Sequence, residues 1–268
     1  MKKKVKKKKK QQKYIPIKAL FGNADDYYVY HMTIPEKLTG GGLGFLAGFL
    51  VSMIFFRSIL VSLAVGVAMI IPGVRWYQQF LKEKRLKNLL LQFRDMLESL
   101  TASYSTGKNT QGAFQDTYAD MTGIYGKKSD IVHEIGLIVD GLYNGQNIDV
   151  LLKNFADRSH LDDIESFATI FEVSNRYGGN LKKVVADTHQ IISDKIETEL
   201  EIQTLLTANK NELNMMILMP LIIMVTLSGM GNMSIVQNTP VNVVTKIVAL
   251  AIFGAAYLMG RKIVDIKA

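Results

Sequence analysis

Two strongly apolar stretches bracket a heavily charged middle, and this layout decides what the chain can fold into. One stretch runs from about Leu43 to Ile71; the other is a pair, about Leu213 to Met230 and Val243 to Met259. Segments that long and that poor in charge read as membrane-spanning helices. The residues between them carry regular charge and helical apolar spacing, which reads as a water-facing domain. We therefore expect an all-α, polytopic membrane protein with a cytosolic antiparallel helical bundle between two transmembrane helix pairs.

Charge sets the orientation. The net charge of +8 is concentrated at the start, where eight of the first ten residues are lysine. Arg75 to Glu212 holds 16 basic and 20 acidic side chains, a difference of −4. The basic excess is a tail rather than a nucleic-acid-binding face, so no nucleic-acid partner is expected. The lysine run is not followed at once by an apolar core, as a signal peptide requires. We read it as a solvated, topology-setting tail that can also meet anionic lipid headgroups, at about 1 kcal/mol per lysine. Tyr14, Tyr27, Tyr28, Tyr30 and His31 follow, and amphipathic rings suit a membrane interface. Residues 1–40 are thus read as a basic cytosolic tail with a tyrosine-rich interfacial segment.

Arg57-Ser58 interrupts the first apolar stretch. A single helix would bury Arg57 near the bilayer centre, at about 2.5–3.5 kcal/mol, and would send the lysine tail outside. Two short helices, Gly41–Phe56 and Ile59–Arg75, put Arg57 at a turn, so residues 41–75 are expected to form a transmembrane hairpin. Residues 76–212 form the cytosolic domain, 213–231 and 243–260 are spans, 232–242 is a short external loop, and 261–268 is a cytosolic tail. Lys82, Lys84, Arg85 and Lys87 after the hairpin, with Arg261, Lys262 and Lys267 after the last span, place the domain and both termini inside. Pro220 is expected to kink the third span because it lacks a backbone donor.

Within the domain, Leu89, Phe93, Met96 and Leu100 share one helical face; Ile131, Ile135 and Ile138 share another, and Ile164, Phe167 and Phe171 a third. Helices are expected near 76–105, 110–121, 128–143, 148–157, 160–177 and from 181 onward. A Gly-x-Asn-like corner recurs at Gly107-Lys-Asn109, Gly145-Gln-Asn147 and Gly178-Gly179-Asn180-Leu181. Glycine suits the left-handed end of one helix, and asparagine caps the start of the next. Asn109 and Asn147 are the expected caps, and Ser159-His-Leu-Asp162 reads as a capping-box start.

Several apparent chemical motifs dissolve. Thr106-Gly107-Lys108-Asn109 lacks the upstream glycine, where Ala102 stands, and the following Ser or Thr of a phosphate loop. His31, His133, His160 and His189 share no ligand spacing, and there is no cysteine. No catalytic residue, cofactor or metal is expected. Asp162, Asp163 and Glu165 cluster at a helix start, where they favour the helix N-terminus and could also form a docking surface or a weak divalent-cation site. Glu197, Glu199 and Glu201 read as a solvated helix face.

One ordered set of features carries a resemblance. An apolar hairpin ending Pro72-Gly73 precedes a basic helix containing Leu91-Gln-Phe-Arg-Asp-Met-Leu97. The three corners follow, the last being Arg176-Tyr-Gly-Gly-Asn-Leu181, and a long helix then enters the membrane at Leu218-Met219-Pro220. Over about residues 40–260 this resembles the type II secretion system F domain family, and within it the single-domain TadB/TadC-type platform proteins of tight-adherence pili. The resemblance implies a non-enzymatic platform in the bacterial inner or plasma membrane. It implies as partners a hexameric secretion ATPase, prepilin or pseudopilin, and a paralogous F-domain protein or a second copy. It also makes Asp162, Asp163 and Glu165 the candidate ATPase-docking surface. The lysine tail and tyrosine segment lie outside the family pattern. A small transporter or channel subunit is the alternative, disfavoured by the lack of mid-membrane carboxylates. A membrane signalling adaptor would need a larger outer domain.

Overall fold

The computed structural model describes residues 16–18, 20, 26–229 and 240–264. Among these residues every regular element is an α-helix: α1 Ile34–Phe56, α2 Ile59–Ser105, α3 Thr110–Tyr125, α4 Asp130–Tyr143, α5 Ile148–Ser159, α6 Asp162–Arg176, α7 Leu181–Gly229 and α8 Pro240–Val264. The chain divides into two compact units. One joins the described residues up to Tyr30 with Lys84–His189; the other joins His31–Glu83 with the described residues from Gln190 onward.

The first unit is a helical bundle whose core follows the sequence periodicity. Phe93 of α2 packs 6.2 Å from Phe155 of α5 and edge-on, at 5.5 Å, against Phe167 of α6. Leu89, Met96 and Leu100 of α2, Phe114 of α3, and Ile131 and Ile135 of α4 are fully buried around it. Aromatic side chains of this size dominate core burial, and tilted or edge-on pairs add about 0.5–1.5 kcal/mol beyond it. Consecutive helices from α3 to α6 lie in contact.

The corners explain why the helices stop where they do. Gly107, Gly145 and Gly178 all have positive φ, at 79°, 75° and 73°. At the last corner Gly178 turns the chain left-handed, and the Gly179 amide donates to the Ser174 carbonyl at 2.6 Å. This is the six-to-one bond of a Schellman motif. Asn180 Oδ1 then accepts from the Lys183 amide at 3.1 Å and opens α7. Asn109 accepts from Gly112 and Asn147 from Asp149, each at 2.9 Å. Ser159 departs from the expectation. It is the buried last residue of α5, its Oγ donates to the Ala156 carbonyl at 2.8 Å, and the N-cap of α6 is Leu161. The turn is made instead by His160 at φ 55°. Ser159 still serves the corner, since Oγ accepts from the Leu161 amide at 3.2 Å.

The second unit contains the apolar hairpin. The chain turns at Arg57, which adopts φ 48° while its amide donates to the Met53 carbonyl at 3.1 Å. Helix α1 starts at Ile34 rather than residue 41, because Pro35 suits a first helical turn and Glu36 accepts from the Thr33 amide at 2.8 Å. Helix α2 does not stop at Arg75; it continues through Pro72-Gly73 to Ser105. Packing from outside holds that segment. A Cβ on Gly73 would lie 2.7 Å from Gly44 Cα and 2.9 Å from the Gly40 carbonyl, and one on Gly48 would lie 2.8 Å from Met69. Small residues four apart on α1 thus let its backbone close onto α2 on both sides of Pro72, as in tightly packed membrane helices. Both α1 and α2 are long and apolar enough to cross a membrane.

Helix α7 is continuous from Leu181 to Gly229 with Pro220 in its interior. Helix α8 begins at Pro240, so residues 240–242 belong to it rather than to the expected external loop. The rest of that loop, the lysine tail, Tyr14 and the last four residues lie outside the described residues.

Candidate functional site

The three carboxylates singled out from the sequence lie in the first turn of α6, but they do not act as one group. Glu165 turns toward α5, where Lys153 Nζ lies 3.3 Å from its Oε1 and 3.0 Å from Asp157. The hydrogen bond to Asp157 is the main reason the Lys153 ammonium is held above the ordinary lysine range. At about 100° per residue, Asp163 lies about 160° from Glu165 and Asp162 about 60° from it, and the two aspartates bracket the strip of Ser166, Ile170, Val173 and Tyr177. Ile170, Val173 and Tyr177 are 49%, 52% and 85% exposed. This α6 face is acidic at one end and apolar along the rest.

A second cluster escaped the sequence reading. Tyr27 was assigned to a membrane interface, yet it is only 3% exposed and belongs to the helical bundle. Its hydroxyl donates to Glu134 Oε1 at 2.9 Å, and its amide donates to the Arg158 carbonyl at 3.0 Å. The Arg85 guanidinium sits 4.7 Å above its ring, a cation–π contact. Arg85 in turn grips Asp130 through Nε at 3.1 Å and a second nitrogen at 2.7 Å.

Beneath Tyr27, Glu134 and Arg158 form a two-pronged ion pair, one prong at 2.6 Å, with side chains 1% and 2% exposed. A charge so deeply buried requires a partner. Burial, followed by the nearby Glu134 and Asp130 charges, pushes the Tyr27 phenol well above its ordinary range. Upstream, Asp26 Oδ2 accepts from the Ile17 amide at 2.8 Å, while Oδ1 accepts from the Tyr28 amide and meets His160 Nε2, both at 2.9 Å. Asn154 holds the Lys18 carbonyl at 3.2 Å and the Leu20 amide at 3.3 Å. Ile17, Lys18, Leu20 and Asp26–Tyr28 are therefore tied to α4, to α5 and to His160 by polar contacts. The sequence did carry one signal: Glu134 stands on the apolar stripe of α4, three residues after Ile131 and four before Ile138. A carboxylate there must find a buried partner.

The remaining sequence candidates are structural. Thr106–Asn109 forms the α2–α3 corner. His133 and His31 are exposed, whereas His160 contacts Asp26. Among the described residues no group of three His, Cys, Asp or Glu side chains could hold a metal ion. Asp149 lines an open cleft between α5 and α6; its Oδ1 accepts from Asn175 at 3.0 Å and its Oδ2 lies 3.7 Å from Arg176. The charges around that cleft thus largely serve one another. Comparison of the chain with models of protein families, with curated proteins and with solved structures finds no match.

Proposed function

We propose that this protein is a membrane platform of the type II secretion F domain kind. It couples a cytosolic secretion ATPase to the extraction of prepilin or pseudopilin from the bilayer, and it hydrolyses nothing itself. The observation that carries this reading is α2. One unbroken helix begins in an apolar hairpin and ends in the core of the bundle, where Leu89, Phe93, Met96 and Leu97 are fully buried. A continuous packed element can pass a displacement along its axis, which a flexible linker would dissipate. The order of glycine–asparagine corners and the uninterrupted course of α7 into an apolar segment support the same reading.

In this reading α1, the start of α2, the end of α7 and α8 are four spans. The bundle and both termini face the cytoplasm, and the lysine tail lies near anionic lipid. A paralogous F-domain protein or a second copy completes the platform. Reporter fusions after Lys87, Lys210 and Ala268 are expected to report cytoplasm, and one at Asn238 the outside. Deleting the gene should abolish surface filaments while prepilin and ATPase still accumulate, and the purified protein should show no ATPase activity. Normal filaments in the deletion strain would reject the platform.

A further inference from the structure

Helix α2 carries an exposed apolar stripe that ends on a charge. Leu60, Leu63, Val67 and Ile71 lie at i, i+3, i+7 and i+11, and all four are exposed. Another side of the helix meets α1, where Met69 and Gly73 close on Gly48 and Gly44. Four residues beyond Ile71 the stripe reaches Arg75, which is also exposed and, among the described residues, forms no ion pair. Trp76 follows. Its exposed ring stacks on Phe80 at 6.2 Å, and Phe80 stacks on Tyr77 at 6.4 Å. Tyr77 rests in turn on Gly40 of α1, where a Cβ would lie 2.9 Å from it.

We infer that Arg75 holds the phosphate of an anionic phospholipid in the cytoplasmic leaflet, with Trp76 beside the same headgroup. Depth puts it there. From Ile59 to Arg75 the helix rises about 24 Å, and the hydrocarbon core of a bilayer is about 30 Å thick. With the turn at Arg57 on the outer boundary, Arg75 is rooted about 6 Å short of the inner one. Lys37 of α1, about 30 Å from Arg57 by the same rise, marks that boundary on the neighbouring helix. An arginine rooted inside the core lays its stem along lipid and raises its guanidinium to the headgroups. Amphipathic rings such as that of Trp76 gather at the same level. The planar guanidinium also matches phosphate oxygens in a two-pronged bond.

Charge decides the occupant. Residues 37–82 and 213–264 contain no Asp or Glu, so the spans of a second copy bring no anion to Arg75. Acids return only at the borders, as Glu36, Glu83, Glu212 and Asp265. Glu36 accepts from the Thr33 amide at 2.8 Å, and Glu83 stands about 12 Å further along α2. Phospholipid phosphate is the anion that a bilayer supplies at this depth. An anionic headgroup is favoured over a zwitterionic one, whose own ammonium competes for the phosphate. The spans and their cytoplasmic side are taken from the platform reading.

Trp76 is the single tryptophan of the chain, so its fluorescence reads this spot alone. The full chain is placed in lipid nanodiscs, one copy per disc, with lipids brominated on their acyl chains as quenchers. Bromine near the carbonyl end should quench Trp76 more than bromine near the methyl end, and aqueous acrylamide should quench it least. In mixtures of phosphatidylglycerol and phosphatidylcholine with one of the two brominated, the affinity read at Trp76 should favour phosphatidylglycerol about fivefold, as one cation near an anionic surface gives. Arg75→Gln should remove that preference and Arg75→Lys should keep most of it, with the thermal melt unchanged in both. Equal affinity for the two lipids overturns the inference. So does a preference that Arg75→Gln leaves intact, which belongs to the lysine tail. A Trp76 that acrylamide quenches more than lipid does, or that neither quencher reaches, overturns it as well. The platform is judged separately by the filament assay: a lost lipid preference with filaments lost on deletion removes this site alone, whereas normal filaments with the preference intact reject the platform and keep the lipid site.

Discussion

Replacing Arg158 by methionine tests the buried pair most directly. Glu134 is fully buried and its charge is answered by the two-pronged Arg158 contact and the Tyr27 hydroxyl. Removing the guanidinium leaves a buried carboxylate with one neutral donor. Breaking such a pair from one side costs about 3–5 kcal/mol, a large share of a total stability of about 5–15 kcal/mol. Glu134→Met should cost a similar amount, because it removes the carboxylate that faces the buried Arg158 charge and accepts from the Tyr27 hydroxyl, while Arg158 Nε still donates to neutral Asn154 Oδ1 at 2.9 Å. The two charges exposed to each other's loss are the whole reason for these values. The triple variant Tyr27→Phe, Glu134→Met, Arg158→Met removes all three polar groups and refills the site with apolar volume, which for buried pairs is often neutral or stabilising. It should therefore be more stable than either single variant. The assay is hydrogen exchange of α4 and α5 amides in the detergent-solubilised full chain, with thermal unfolding as a second reading. Single variants costing less than about 1 kcal/mol, or a triple variant as unstable as the summed singles, would refute the reasoning.

Three other outcomes are expected. Burial drives the phenols of Tyr104 and Tyr125 up to about 12 and that of Tyr27 further. The folded chain therefore keeps protons that the unfolded chain releases above about pH 10. Stability is full below that value and falls as pH rises through 12; Tyr27→Phe should flatten the fall, read by tyrosinate absorbance and melting. Gly178→Val should destabilise by more than about 1 kcal/mol through its left-handed φ alone, since a Cβ there meets nothing within 4 Å, and Asn180→Ala should cost about 1 kcal/mol through its cap; equal melts would refute the corner. In the hairpin, Gly73→Val should abolish accumulation of the protein because its Cβ would collide with Gly44, whereas Gly42→Ala, with no neighbour within 4 Å, should be silent; equal immunoblot levels would remove the close packing.

Helix positions were legible because their determinants are local. Glycine and asparagine fix a corner within a few residues, and apolar spacing fixes a face, so the expected helices at 110–121, 128–143, 148–157 and 160–177 reappear within a few residues of their ends, whereas the one expected at 76–105 is the latter part of α2, which begins at Ile59. Arg57 marks its turn by the same logic, since the cost of burying its charge is a property of the stretch it interrupts. Ser159 shows the limit of local reading: Ser-x-x-Asp suits a cap, but α5 runs through the serine and His160 makes the turn. Pro72-Gly73 marks a break in sequence terms, and only glycines on α1, some thirty residues away, show why the helix goes on.

The place of Tyr27 depended wholly on tertiary structure. Tyr27 and Glu134 meet across 107 residues, and Glu134 and Arg158 come from successive helices. Tyrosine suits a membrane interface and a buried hydrogen bond equally well, so composition alone assigned it to lipid. The sequence by itself determined which segments are helical, where they are capped and which are apolar enough to enter a membrane. Only the packed structure decided which charge answers which, and which face of α6 was left open. Periodicity and capping act between near neighbours along the chain; the pairing of a buried charge depends on what folding brings beside it.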